Sequence, residues 1–113
     1  MQVQVYGIPN CGSVKKARIF LESHVVEYVF VDFKKTPPSR DKIAYWIQKT
    51  SLQVLLNTKG TTYKKLGLKE QNLNDEQKIQ AMLQNPTLIK RPVIESGDVV
   101  IVGYDENALQ VLL

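Results

Sequence analysis

The first third of the chain changes its hydrophobic period twice. Residues 2–7 alternate polar and apolar side chains, a pattern that predicts a β-strand. From Ser13 the apolar residues recur at helical spacing, and this helix is expected to end near His24. Residues 25–33 are rich in β-branched and aromatic side chains, which favours a second strand. A strand-helix-strand unit normally pairs its strands in parallel through a right-handed crossover.

The middle of the chain predicts helices. Ser39 is a suitable N-cap. The apolar face of the helix that follows carries Ile43, Trp46 and Ile47. Asn74 opens a capping-box sequence with Gln77, and Asn85 before a proline should end that helix. Shorter helical segments are predicted at residues 52–57 and 63–66. Together these segments predict a helical insert over approximately residues 38–88.

The last part of the chain predicts a hairpin and a closing helix. Residues 91–95 and 99–102 have the composition of strands, and the tight connection between them at Gly97 indicates antiparallel pairing. Asp105 is a suitable cap for a last helix. Its inward residues are predicted to be Ala108, Val111 and Leu112. The order βαβ, helical insert, ββα predicts an α/β protein with a mixed four-stranded sheet and a thioredoxin-like fold.

Length and composition set the class of protein. A chain of 113 residues that is 43% apolar suits a single domain over residues 1–113, and a monomer is expected. No apolar run is long enough to span a bilayer, and the first residues do not form a signal peptide. A cytoplasmic location without membrane association is therefore expected.

The charge pattern favours small anionic substrates over nucleic acid. The net charge is +4, and the lysines occur as separated pairs rather than as one basic block. Nucleic-acid surfaces usually cluster their cations along one element, so no direct nucleic-acid binding is expected. A modest positive balance still attracts a small anion.

Cys11 is the only cysteine, which excludes an intramolecular disulfide and a cysteine-rich zinc site. It stands at the start of the first helix, where unpaired N–H groups and the helix dipole favour the charged form of a thiol. Such a position can bring a thiol pKa from about 8.5 to roughly 3.5–7.5. Gly12 leaves steric room and Ser13 offers a hydroxyl. The alternative is an inert core cysteine, but a turn between a proline and a glycine does not favour it.

The chain resembles the arsenate reductase-like family, which includes the ArsC, Spx and YffB-type proteins, and its sequence most resembles the YffB type. The resemblance rests on stretches that run through the whole chain: residues 6–18, 37–41, 55–66, 84–94 and 102–104. It implies a thioredoxin-like core with a helical insert, and it implies that Cys11 is the catalytic cysteine. It also implies that Arg91-Pro92 has a cis peptide bond that faces the cysteine, and that Arg91 binds an oxyanion or the glutathione carboxylate.

Several positions depart from the family pattern. The ArsC enzymes hold arsenate with three arginines, and only Arg91 matches one of them. Lys59 stands near the second position, where it could supply charge but not a planar fork. Gly103-Tyr104 stand at the third position without a cation. Negligible arsenate turnover is therefore expected. Val14 replaces the second cysteine of the Spx regulators, so an intramolecular switch is excluded.

Two function hypotheses follow. The first is a thiol-dependent oxidoreductase in which Cys11 reacts with a substrate and glutathione or a glutaredoxin resolves the adduct, because exchange by a lone cysteine needs an external thiol. No bound cofactor or metal is expected, and glutathione is the expected co-substrate. The predicted binding residues are Asn10, Gly12, Ser13, Lys59, Arg91 and Pro92. The alternative is an Spx-like regulatory or RNA polymerase-binding protein without reductase activity.

Overall fold

Four strands form one mixed sheet in the order β2-β1-β3-β4, in a computed structural model that describes residues 2–113. The strands are β1 (Val3–Gly7), β2 (Tyr28–Asp32), β3 (Val93–Ser96) and β4 (Val99–Val102). β1 pairs in parallel with β2 and antiparallel with β3, which in turn pairs antiparallel with β4. The predicted parallel pair, the hairpin and the α/β, thioredoxin-like fold are confirmed.

One face of this sheet is covered by α1 (Gly12–Ser23) and α7 (Glu106–Leu109). The apolar stripe of α1 is buried as its spacing predicts, because residues three and four apart share one side of a helix. The core on this face contains Val3, Val5, Ala17, Phe20, Leu21, Ile94, Ile101 and Leu109. This packing fixes the start of α1 over the end of β1.

The segment between β2 and β3 is helical, as predicted. It contains α2 (Arg40–Lys49), α3 (Leu52–Leu55), α4 (Thr61–Lys65), α5 (Leu68–Gln71), α6 (Asp75–Gln84) and a 3₁₀ turn (Pro86–Leu88). Ser39 accepts a hydrogen bond from the N–H of Lys42, and Asn74 and Gln77 form the predicted capping box. Both caps are bonds between residues three apart in the chain, which explains why they could be predicted from the sequence.

The chain divides into two compact units, one of the residues up to Thr36 together with Arg91–Leu113, and the other Pro37–Lys90. The predicted insert, 38–88, falls within the second unit. The prediction of a single domain over residues 1–113 stays a prediction. No helix among residues 2–113 is long and apolar enough to cross a membrane.

Three predicted boundaries or contacts are wrong. The second strand begins at Tyr28 because Val25 ends α1 in the left-handed region, with φ 57°. The third strand begins after Pro92, which has no N–H to donate to the sheet. Val111 is 66% exposed, and Leu109 is the buried residue instead, because α7 lasts one turn before a 3₁₀ turn changes the period. The sequence also missed α5 and the 3₁₀ turn at Pro86.

Candidate active site

Cys11 is the N-cap residue of α1, with extended backbone angles of φ −91° and ψ 129°. Its N–H donates to the carbonyl of Ile8 at 3.3 Å, and its carbonyl accepts from the N–H of Lys15 at 3.0 Å. These two bonds close the turn after β1 and begin the helix, so the thiol is fixed at the point where the helix N–H groups are unpaired. The side chain is half-buried and the thiol is free.

A glycine allows this close approach of strand and helix. A Cβ on Gly7, the last residue of β1, would lie 2.6 Å from a methyl group of Val14. That distance is far inside van der Waals contact, so a larger residue would push the first turn of α1 away from the sheet. Gly7 therefore sets the position of Cys11 through Val14.

Several groups act on the sulfur of Cys11. Its burial by itself raises the pKa of the thiol, but the N–H of Val14, the side chain of Arg91 and the N–H of Ser13 are close enough to donate toward the sulfur, and these interactions lower the pKa. The positive charge of Arg91 lowers it further, and the net result is a Cys11 pKa below its ordinary value. The thiol makes no hydrogen bond of full capping geometry. The N–H groups of Val14 and Ser13 therefore lower the Cys11 pKa as nearby donors that are imperfectly aligned with the sulfur.

The register between β1 and β3 brings Arg91 to the cysteine. Tyr6 of β1 is paired with Val93 of β3, so the residues before Val93 run alongside the turn that follows β1. The carbonyl of Pro92 accepts the N–H of Gly103 at 2.7 Å, which continues the β3–β4 ladder and fixes the strand entrance. The Nε atom of Arg91 is buried, so the base of the guanidinium is enclosed by protein.

The cis peptide bond at Arg91-Pro92 is present, as the resemblance implied. Pro92 is buried, Ser13 is half-buried and Asn10 is exposed. A Cβ on Gly12 would meet nothing within 4 Å, so space beside Cys11 is open. The structure thus brings together Cys11, Ser13 and Arg91. The binding roles assigned to Asn10, Gly12 and Pro92 stay predictions.

Lys59 lies in the other compact unit, in the connection between α3 and α4. It is exposed, and its N–H donates to the side-chain oxygen of Asn57 at 3.3 Å. The predicted part of Lys59 in anion binding at Cys11 stays a prediction.

His24, the only histidine, stands at the opposite end of α1 from Cys11. Its ring nitrogen contacts the carbonyl of Phe20 at 2.8 Å, and its ring packs against the Phe20 ring at 4.3 Å. The length of α1, about 18 Å for 12 residues, separates the two side chains. His24 is therefore a capping residue of α1 and does not serve as a base for Cys11.

The backbone of Val14 is the contributor that the sequence reasoning did not name. The sequence pattern indicates Val14 as an apolar-face residue of the helix and as the residue that replaces a second cysteine, whereas in the structure its N–H makes the largest single contribution that lowers the Cys11 pKa. The available signal was the position of Val14 three residues after the N-cap, where helix N–H groups usually bond a capping side chain.

Sequence comparison places this site in a known family. A family model described as the ArsC family matches residues 6–112, which is nearly the whole chain. The chain belongs to the ArsC family. The turn with Cys11 and the Arg91-Pro92 step both lie within the matched range, so the site of this ArsC-family protein is part of the family match.

Relatives of this ArsC-family protein carry different descriptions. A solved structure named YFFB protein is 36% identical with a TM-score of 0.92, over 99% of each chain. An arsenate reductase of Rhizobium meliloti is 33% identical over 96 residues, 83% of this chain and 69% of that protein. A global transcriptional regulator Spx of Listeria innocua is 30% identical over 110 residues, 96% of this chain and 84% of the regulator. The family therefore includes both enzymes and regulators at similar distance from this chain.

Proposed function

We propose that this protein is a thiol-dependent oxidoreductase with one reactive cysteine, which undergoes thiol–disulfide exchange with glutathione. The observation that carries the proposal is the hydrogen bond of the Arg91 side chain to the sulfur of Cys11, at the N-terminus of α1. A cation and helix N–H groups at one sulfur stabilise the thiolate, which is the nucleophilic form. The same cation is suited to bind the carboxylate of an incoming thiol or disulfide.

The proposed reaction is thiol–disulfide exchange. The Cys11 thiolate attacks one sulfur of oxidised glutathione, a bond forms between the two sulfurs, and the original disulfide bond breaks. The departing glutathione thiolate takes the bonding electron pair and then a proton from water. A second thiol, from free glutathione or a glutaredoxin, must attack the mixed disulfide to return Cys11 to its thiol, because the chain has no second cysteine.

The test is intact mass after treatment with oxidised glutathione. We expect one glutathione per chain in the wild type, none in Cys11→Ser, and a several-fold slower reaction in Arg91→Ala. Lys90→Ala is the matched control, because Lys90 is the exposed cation next in the chain. Equal rates for Arg91→Ala and Lys90→Ala would show that Arg91 does not bind the glutathione carboxylate or activate the sulfur.

The proposal does not extend to arsenate as the main substrate. Of the three positions where the ArsC enzymes carry arginine, this chain carries one at Arg91, whereas Lys59 and Tyr104 stand at or beside the others. We expect negligible arsenate reduction with glutathione and glutaredoxin. Robust turnover that is lost in Lys59→Gln would show that Lys59 replaces an arginine of the arsenate-binding set.

A second candidate function is regulation, favoured by the 30% identity to the Spx regulator over 96% of this chain. In this case Cys11 would react once with an oxidant and alter binding to a protein such as RNA polymerase. Multiple turnovers of a small disulfide, with glutathione as the reductant, favour the oxidoreductase. A single glutathionylation that glutathione does not reverse, together with RNA polymerase binding, would favour the regulator.

A further inference from the structure

An open cleft of about 530 Å³ begins at the turn that carries Cys11 and runs between α1 and β2. Its lining includes Pro9, Arg18, Phe30, Asp32 and Lys35. Pro9 is two residues before Cys11, so their Cα atoms are at most about 7 Å apart. The cleft is therefore lined in part by the turn on which Cys11 stands.

The guanidinium of Arg18 lies against aromatic residues in the cleft. Its carbon lies 4.2 Å from the centre of the Phe30 ring and 5.7 Å from that of Tyr28. Its Nε donates to the Tyr28 hydroxyl at 2.9 Å, and that hydroxyl donates to Glu22. Among residues 2–113, none accepts a hydrogen bond from the two terminal amino groups of Arg18. These donors are in the fork geometry that a carboxylate matches.

The second cation of the cleft is Lys35, which stands on a turn fixed by backbone bonds. The carbonyl of Asp32 accepts from the N–H of Lys35 at 3.1 Å and from the N–H of Thr36 at 2.8 Å. The Asp32 carboxylate accepts from the N–H of Lys34 at 2.9 Å, so the acid of the cleft is already engaged by its own turn. With Arg18 and Lys35 against Asp32, the lining has an excess of one positive charge.

The spacing fits a specific class of ligand. Arg18 follows Cys11 by about two helical turns, which is an axial rise of about 10 Å, and helix side chains lean back toward the N-terminus. In a tripeptide whose central residue carries the sulfur, a terminal carboxylate reaches roughly 7 Å from that residue. The long Arg18 side chain, leaning back toward Cys11, covers the rest of the separation. We propose that this cleft binds a tripeptide-sized acidic thiol or disulfide, with Arg18 and Lys35 contacting a carboxylate of the ligand while the sulfur of the ligand exchanges with Cys11. This inference rests on the thiol-exchange function proposed above.

The kinetic test compares two disulfides on three proteins. Oxidised glutathione carries carboxylates, whereas 2-hydroxyethyl disulfide carries none. Lys35→Gln should lower the second-order rate constant with oxidised glutathione about two- to five-fold, the range of an exposed ion pair. It should leave the rate with 2-hydroxyethyl disulfide unchanged. Lys34→Gln is the matched control, because Lys34 is an equally exposed neighbour outside the lining, and it should change neither rate.

A binding test separates the cleft from the chemistry. In Cys11→Ser, titration with the unreactive thioether S-methylglutathione should give saturable NMR shifts at the Arg18 Nε–H, weakened in Lys35→Gln and retained in Lys34→Gln. Absence of saturable shifts, or equal kinetic effects of the two lysine variants, overturns the cleft assignment. A cleft that binds S-methylglutathione in a protein whose Cys11 never forms a mixed disulfide would support the carboxylate-binding role of Arg18 and Lys35, and it would overturn the exchange at Cys11 and the proposed oxidoreductase.

Discussion

The side chain of Arg91 hydrogen-bonds the sulfur of Cys11, although the two residues lie near opposite ends of the sequence. Cys11 follows β1, whereas Arg91 precedes β3, and the antiparallel pairing of these strands places the two turns side by side. The contact therefore depends on correct strand register as well as on the two side chains. The contact brings the turn between β1 and α1 and the cis peptide bond at Arg91-Pro92 into one reactive site.

The first prediction concerns the reactivity of the thiol. Because the pKa of Cys11 is lowered, half-maximal alkylation by iodoacetamide should occur at a pH below about 8.5, the value of an ordinary cysteine. Arg91→Ala should move this midpoint upward, since both a hydrogen bond and a positive charge are lost, and Lys90→Ala should not. A wild-type midpoint equal to that of a cysteine peptide would contradict the activated thiol.

The second prediction concerns stability against pH. With its pKa lowered in the folded state, Cys11 loses its proton at lower pH when folded than when unfolded. Between the two values the unfolded chain binds more protons, so stability rises with pH. The free energy of unfolding of the reduced wild type, minus that of Cys11→Ser, should rise with pH up to about 8.5 and then level off. Urea unfolding across this range measures it, and a difference that is flat or falls with pH would contradict the prediction.

The third prediction concerns the end of α1. Val25 has φ 57° and is 88% exposed, while its N–H donates to Glu22 and the N–H of Val26 donates to Leu21. This is a Schellman-type ending, in which glycine is usual. A left-handed residue other than glycine costs about 1–2 kcal/mol, and glycine costs about 0.5–1 kcal/mol in chain entropy. Val25→Gly should therefore stabilise the protein by roughly 0.5–1 kcal/mol.

The control for Val25→Gly is Glu27→Gly. Glu27 is also exposed and close by, but it does not have a positive φ, so glycine brings only its entropy cost. Thermal unfolding of both variants should show a higher midpoint for the first and an equal or lower midpoint for the second. A loss of stability in Val25→Gly would mean that Val25 makes apolar contacts that outweigh its backbone strain.

The sequence by itself determined the features that depend on a few neighbouring residues. The Ser39 cap and the Asn74–Gln77 capping box follow from side chains that bond backbone groups within one turn. The position of Cys11 at a helix start follows from the change of hydrophobic period around it. The parallel pair and the hairpin could also be predicted, because strand spacing and turn chemistry limit the connections. The resemblance added the cis step at Arg91-Pro92.

Only the tertiary structure decided what meets across the fold. The β2-β1-β3-β4 order and the pairing of Tyr6 with Val93 bring Arg91 to Cys11, and no local pattern encodes that register. One-turn helices such as α5 were missed because packing, rather than propensity, stabilises such short segments. The stacking of Arg18 on Phe30 likewise needs α1 packed beside β2, so the cleft next to the cysteine became visible only in three dimensions.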